Sequence, residues 1–455
     1  MDRSPTYCER YHKSVSRVFT QTISITGKAI HNEWVNSSRS GGSLRNLRQS
    51  NSLHVLDLLA SQGPMHRAEM ARRANISRTT VTTITRDLME RGVLVELTER
   101  ADGGDEVDGR AGDQLAFSPE AGWIGGMSQV LDRICVRITD LMGQEVASAD
   151  GPIGAKDDWT IRAEAAVYLL DRALKEAGGE RDHLLGVGIG LPGQINPVDG
   201  IVHGALADQP WHGINAREEM GRRLGVPVFI DNNVRLETIA EAKWGAGQGI
   251  TDLMYVSLSS GIAAGFLFGG ELYRGSVGGA GELGHTSVDV NGPACRCGNR
   301  GCLVLVAGSP AILSRLAPIL GPSASMNDVL AASAAGDRSA RNVLAEAGTM
   351  AGRLLASVCN LLNPQRIVVG GQTSLAGAVL LDPLHESITR YALTPSAALE
   401  VVASDLGGGP EAGAAGGAAL ALSKLTTSPD MLDRLLNGSE AKSGNGRRRM
   451  APAVS

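Results

Sequence analysis

The chain has 455 residues, more than one ordinary domain holds, so two or three compact units with separate apolar cores are expected. Its net charge of −5 excludes a general polyanion binder, and any nucleic-acid contact must come from a local basic patch. No apolar run approaches the roughly 20 residues that span a bilayer, no apolar leader opens the chain, and the six cysteines form no disulfide framework, because Cys295, Cys297 and Cys302 cluster while Cys8, Cys135 and Cys359 are scattered. A protein of the reducing cytoplasm, with no membrane partner, is the expectation.

Residues 1–44 are rich in Ser, Thr, Arg and His, lack a sustained period, and read as a disordered tail. In 45–118 three helices and a hairpin follow. Leu53, Val55, Leu56, Leu58 and Leu59 give the first helix an apolar face, which ends before Gln62-Gly63-Pro64. A second helix starts near Arg67, with Met70 and Ala71 inward. After a turn at Ala74-Asn75-Ile76, Ser77 caps a third, on which Val81, Ile84 and Leu88 recur at helical spacing. The opposite face carries Arg78, Thr79, Thr80, Thr83 and Arg86, short hydroxyls beside guanidinium forks that match base edges and phosphates. With Ser77 at its start, this is the composition of a recognition helix for double-stranded DNA. The bland alternative is a small bundle with a solvated Thr/Arg face. Gly92 stops the helix, and Leu94-Val95-Glu96-Leu97 with Leu115-Ala116-Phe117 read as the strands of a wing. The loop between them offers Arg110 to a groove, but Glu99, Asp102, Asp105, Glu106, Asp108 and Asp113 would repel phosphate there.

Beyond Pro119 the pattern changes to Gly-rich turns, apolar strands and Ala-rich helices, an α/β domain over 119–425. Ile134 to Ala149 resembles Leu253–Leu258 with Ala263–Phe268, which suggests an internal repeat. His285, Cys295, Cys297 and Cys302, spaced H-x9-C-x-C-x4-C, supply three thiolates and an imidazole, the four-ligand set of a structural Zn2+ site. Residues 426–455 turn polar and Gly/Ser-rich and read as a second disordered tail.

Gly188-Ile189-Gly190-Leu191-Pro192-Gly193, Ile230-Asp231-Asn232-Asn233, Glu241-Ala242-Lys243-Trp244-Gly245, the E-x-G-H run from Glu282 to His285, the cysteine cluster, and Asn363 to Gly371 together resemble the ROK family of repressors, open reading frames and sugar kinases. The likeness runs from about Arg45 to Leu425. It implies a winged helix-turn-helix followed by a two-lobed, ribonuclease-H-like sugar-kinase domain of the actin and hexokinase type. It further implies a sugar or sugar-like ligand near Gly193, Asn232, Asn233, Glu282 and His285, operator DNA as partner, and a homodimer or higher homo-oligomer.

Phosphoryl transfer needs a carboxylate base and a phosphate loop. Where kinase members carry Asn-Asp, this chain has Asn232-Asn233, and an amide cannot take the proton. Ser128, Val130 and Asp132 stand where kinases carry D-x-G-x-T. A DNA-binding regulator of carbohydrate genes without enzymatic activity is therefore expected. The alternatives are a sugar kinase with unusual groups, or a zinc-stabilised DNA-binding regulator with no effector. The last is motivated by Val304, which replaces the acid of the G-C-L-E pattern and removes an acceptor worth about 1.5–3 kcal/mol. Gly407-Gly408-Gly409 and Gly413 to Ala419 are read as packing elements.

Overall fold

The computed structural model describes residues 44–97, 114–196, 198–204, 209–393, 399–430 and 432–436. The chain divides into two compact units, Met1–Ser52 and Leu53–Ser455. Of the first, residues 44–52 are described; they are helical, and the Ser52 hydroxyl donates to the Arg48 carbonyl at 3.0 Å.

The N-terminal head comprises α1 (Leu44–Gln62), α2 (Arg67–Ala74), α3 (Arg78–Glu90) and a hairpin of β1 (Leu94–Leu97) and β2 (Gln114–Phe117). α1 begins well before the apolar face that announces it. Asn75 adopts the left-handed conformation (φ 53°), which lets the chain leave α2 and enter α3 three residues later. β1 and β2 pair antiparallel from Leu94↔Phe117 to Leu97↔Gln114, and Met65 adds a bridge to Leu115. The wing loop, with Arg110 and its acidic residues, lies outside the described residues.

The rest forms two lobes of the same plan. In the first, β3 (Trp123–Gln129), β4 (Arg133–Thr139) and β5 (Glu145–Pro152) form an antiparallel meander; after α4 (Trp159–Glu176) come β6 (Leu184–Leu191), the small pair β7 (Gln194–Ile195) and β8 (Val202–His203), α5 (Ala216–Leu224) and β9 (Val228–Asn232). The sheet order is β5-β4-β3-β6-β9, with β3, β6 and β9 parallel. Helix α6 (Asn233–Trp244) leads to the second lobe: β10 (Leu253–Leu258), β11 (Ile262–Phe268), β12 (Glu271–Tyr273), α7 (Val304–Ala307), α8 (Ser309–Leu320), α9 (Met326–Ala334), α10 (Arg338–Leu362), β13 (Arg366–Gly370), α11 (Ala378–Tyr391) and β14 (Glu400–Ala403). Its sheet order, β12-β11-β10-β13-β14, repeats the first. The internal repeat is therefore present, with a correction of register: Leu253–Leu258 corresponds to Trp123–Gln129, one strand earlier than the sequence pattern suggests. Both first strands are buried almost end to end, Ser128, Gln129 and Ser257 included, and no periodicity distinguishes a first strand from a second.

α12 (Pro410–Thr426) returns to the first lobe and packs on β3 and β6. A Cβ on Gly125 would point at Leu170 of α4, whereas one on Gly126 would lie 1.9 Å from the Ala414 carbonyl, so the two helices cover opposite faces of the sheet. On its other side, α12 presses Gly416 against α6, where a Cβ would meet the Leu236 carbonyl at 1.8 Å. The Gly/Ala run is thus a packing surface, as read from the sequence.

The expected tail over 426–455 needs correction. Residues 432–436 are helical, and Leu432 and Leu435 are buried in one apolar cluster with Val55, Leu56 and Leu59 of α1, Leu88 of α3, and Ala421, Leu422 and Leu425 of α12. A polar composition concealed two leucines at i and i+3, enough for a short helix that tertiary contact holds.

Candidate functional site

The head presents one face of α3. Ser77 caps the helix, its Oγ accepting from the Thr80 amide at 3.1 Å, while the Thr79 and Thr80 hydroxyls lie 2.9 and 2.7 Å from the same oxygen. Val81, Ile84 and Leu88 are buried, and Arg78, Thr79, Thr83 and Arg86 are exposed, with Thr80 half-buried. The spacing also exposes Thr82, which the sequence reading passed over although positions 78, 79, 82, 83 and 86 fall on one helical stripe. The hydroxyls of Thr82 and Thr83 donate to the carbonyls of Arg78 and Thr79 at 2.9 and 3.0 Å, which holds their rotamers and leaves lone pairs and methyls facing outward. Arg67 braces the helix from behind, its guanidinium reaching Thr85 Oγ1 at 3.3 Å and Glu96 at 2.6 Å. A rigid, Thr/Arg-faced helix of this kind fits a major groove.

In the second lobe a 3-10 turn, Leu283–His285, brings His285 beside the cysteine loop. One ligand atom from each of His285, Cys295, Cys297 and Cys302 lies within 4.8 Å of the others. His285 Nδ1 is 3.7 Å from Cys295 Sγ, and the Cys297 and Cys302 sulfurs are 3.6 Å apart, too far for a disulfide. Tight turns make this possible: Gly298 and Gly301 have φ of 94° and 59°, and the Cys295 amide donates to the Asn299 carbonyl at 2.7 Å. The four groups can hold a metal ion.

Between the lobes, the Asn232-Asn233 motif spans the end of β9 and the start of α6. Asn232 is the helix cap: Oδ1 accepts from the Val234 amide at 2.9 Å, and Nδ2 donates to the Gly193 carbonyl at 2.9 Å. Asn233 is buried, and both ends of its amide are engaged by the first strand, Oδ1 by Ser128 Oγ at 3.1 Å and Nδ2 by the Gln129 carbonyl at 2.7 Å. This corrects the expectation of Asn233 as a ligand-facing group: an amide turned inward to β3 satisfies its donor and acceptor within the fold. Gly193, Asn232, Glu282 and His285 are half-buried. Burial pushes the Glu282 carboxyl above the ordinary carboxylate range, with His285 and Arg235 pulling against it.

Sequence reasoning missed the support beneath this motif. Asp231, buried, joins Arg235 Nε at 2.7 Å and Arg274 Nε at 2.6 Å, and Arg235 donates twice to the Gly278 carbonyl at 3.1 Å. The network ties α6 to the loop that carries Glu282. Its only sequence signal was an Asp–Arg pair at i and i+4.

Residues 157–424 match the ROK family and residues 49–97 the MarR family. Over 361 residues the chain is 28% identical to a putative xylose repressor of Caldicellulosiruptor sp. strain Rt8B.4, covering 76% of this chain and 89% of the relative. It is also 28% identical to the DNA-binding transcriptional repressor Mlc of Escherichia coli K12, covering 77% and 88%. Among solved structures, a ROK family transcriptional regulator homologous to E. coli Mlc superposes with a TM-score of 0.71 at 25% identity, over 86% of this chain and 99% of that one. A ROK hexokinase from Thermus thermophilus gives 0.57 at 28% identity, over 67% and all of its own length.

Proposed function

Because this chain belongs to the ROK family, we propose that it is a DNA-binding transcriptional regulator, a repressor of carbohydrate-related genes, whose kinase-like lobes hold a sugar or sugar-like effector without turning it over. The observation that carries the reading is the rigid, solvent-facing Thr/Arg stripe of α3 on a winged head joined to those lobes. Binding two half-sites of operator DNA in the cytoplasm calls for a homodimer or higher oligomer.

One contact supports the loss of catalysis. Two carboxylates at 3.1 Å repel unless a cation lies between them, whereas Ser128 and Asn233 satisfy each other as neutral partners. Base and phosphate anchor are thus replaced by a single internal hydrogen bond, which removes proton abstraction and phosphate positioning together. Zinc is the metal we assign to His285, Cys295, Cys297 and Cys302. A tetrahedral site with Zn–S of about 2.3 Å needs sulfurs about 3.8 Å apart, close to the 3.6 Å between Cys297 and Cys302. A closed four-ligand set of this kind orders the loop that follows Glu282.

The test is binding of the full chain to its own promoter against random DNA across a salt series. Specific binding is expected, and Arg78→Ala should cost about 1–3 kcal/mol of it. Equal affinity for both DNAs would refute the reading. A second reading, a regulator with no effector, is favoured by the internal use of Asn232 and Asn233. It fails if any member of a sugar panel raises the unfolding temperature specifically.

A further inference from the structure

α6 has two ends with different duties. Its cap, Asn232, donates to the Gly193 carbonyl; about 17 Å away, Lys243 is on its last turn. Lys243 Nζ donates to the Ala60 carbonyl of α1 at 3.0 Å. That carbonyl belongs to the last turn of α1, where helical partners run out and a cation is favoured by the helix dipole. The neighbouring Leu59 carbonyl is already taken by the Gly63 amide at 3.0 Å.

Burial holds the Lys243 ammonium below its ordinary range, and Asp57, also on α1, pulls the other way. Asp57 in turn accepts from Thr426 Oγ1, at the end of α12, at 3.0 Å. Around Lys243 the packing is open: a cavity of about 220 Å³ is lined by Leu59, Pro64, Phe117, Met142 and Trp244. The ammonium therefore bridges the head and the lobes where apolar contact is incomplete. Along its length α6 packs closely on α12, with Gly416 so near the Leu236 carbonyl that a Cβ there would lie 1.8 Å from it.

We propose that Lys243 is the positioning residue through which α6 sets the seat of the DNA-reading head, so that a change at the Asn232 end is delivered to α1. The inference rests on the chain being a regulated DNA-binding protein, and it names the residue that carries the regulation. It requires energetic coupling between two positions that share no contact, which a double-mutant cycle measures directly.

The experiment is hydrogen–deuterium exchange on the metal-replete full chain, comparing wild type, Asn232→Asp, Lys243→Met, the double variant and Lys243→Arg. Aspartate keeps the cap acceptor and loses the donor to Gly193; methionine keeps the apolar stem and loses the donor to Ala60. Asn232→Asp is expected to raise exchange at residues 53–64 by about tenfold in the wild-type background and hardly at all on top of Lys243→Met. With Lys243→Arg, which retains a donor, the response to Asn232→Asp should persist. Metal content and exchange at 338–362 report that the fold is intact, and Gly193→Ala replaces Asn232→Asp if that variant fails this check. Equal responses in the two backgrounds, or no response at 53–64 to either single variant, would overturn the proposal. Promoter binding is scored separately, so coupling without specific DNA binding would refute the proposed function and leave standing only the mechanical link from α6 to α1.

Discussion

Glu237 lies in the middle of α6 at 3% exposure, with its Oε2 accepting from the Tyr255 hydroxyl at 2.7 Å. Burial pushes its carboxyl from 4.5 up to about 7; hydrogen bonds from Tyr255, the Gly409 amide and Ser257 hold it down, and the neighbouring Glu241 adds to the rise. A folded value above the unfolded one means that the folded state holds the extra proton. The resulting stability is full below pH 4.5 and lost as pH rises through about 7. The interval corresponds to about 3 kcal/mol, of which about 2–3 kcal/mol is lost between pH 5 and pH 9. Glu237→Gln replaces the titrating group with a neutral one of the same shape, whose carbonyl oxygen can accept from Tyr255. Urea unfolding of both proteins from pH 5 to pH 9 is expected to show the variant gaining on wild type by that amount as pH rises. A difference that stays flat with pH, or shrinks, would refute the assignment of a buried, proton-holding carboxyl.

Three further outcomes follow from packing and metal binding. Gly416→Ala would place a methyl 1.8 Å from the Leu236 carbonyl, a backbone atom that cannot rotate away, and should cost at least about 1–3 kcal/mol in chemical denaturation. Leu435→Ala, at 2% exposure, should cost about 2–4 kcal/mol; a change below 0.5 kcal/mol, roughly the surface background, would show that residues 432–436 do not belong to the core. Cys302→Ser, or a strong chelator, should release about one zinc per chain by elemental analysis and lower the unfolding temperature.

The local chemistry of both candidate regions was legible without coordinates. Ser77 as a cap, Val81, Ile84 and Leu88 as the inner face of α3, and the histidine–cysteine spacing are short-range patterns. Helical period, capping and ligand count are set by residues within a turn or a loop of one another. The exchange of Asp for Asn at 233 was equally readable, because it is a change of functional group at one position. Thr82 was within reach of the same periodicity and was passed over.

What tertiary structure alone decided is where those groups point and what they touch. Asn233 reads as a cleft residue in its motif, yet its amide faces Ser128, 105 positions earlier. No spacing rule reaches that far. Leu432 and Leu435 look like part of a polar tail until Val55 and Leu56 of α1 are brought beside them. The contact of Lys243 with Ala60 spans 183 positions and exists because α6, α12 and α1 converge at one end of the first lobe. Side-chain identity was local information. The partner that gives each side chain its role was set by how two repeated sheets, and the helices between them, close on one another.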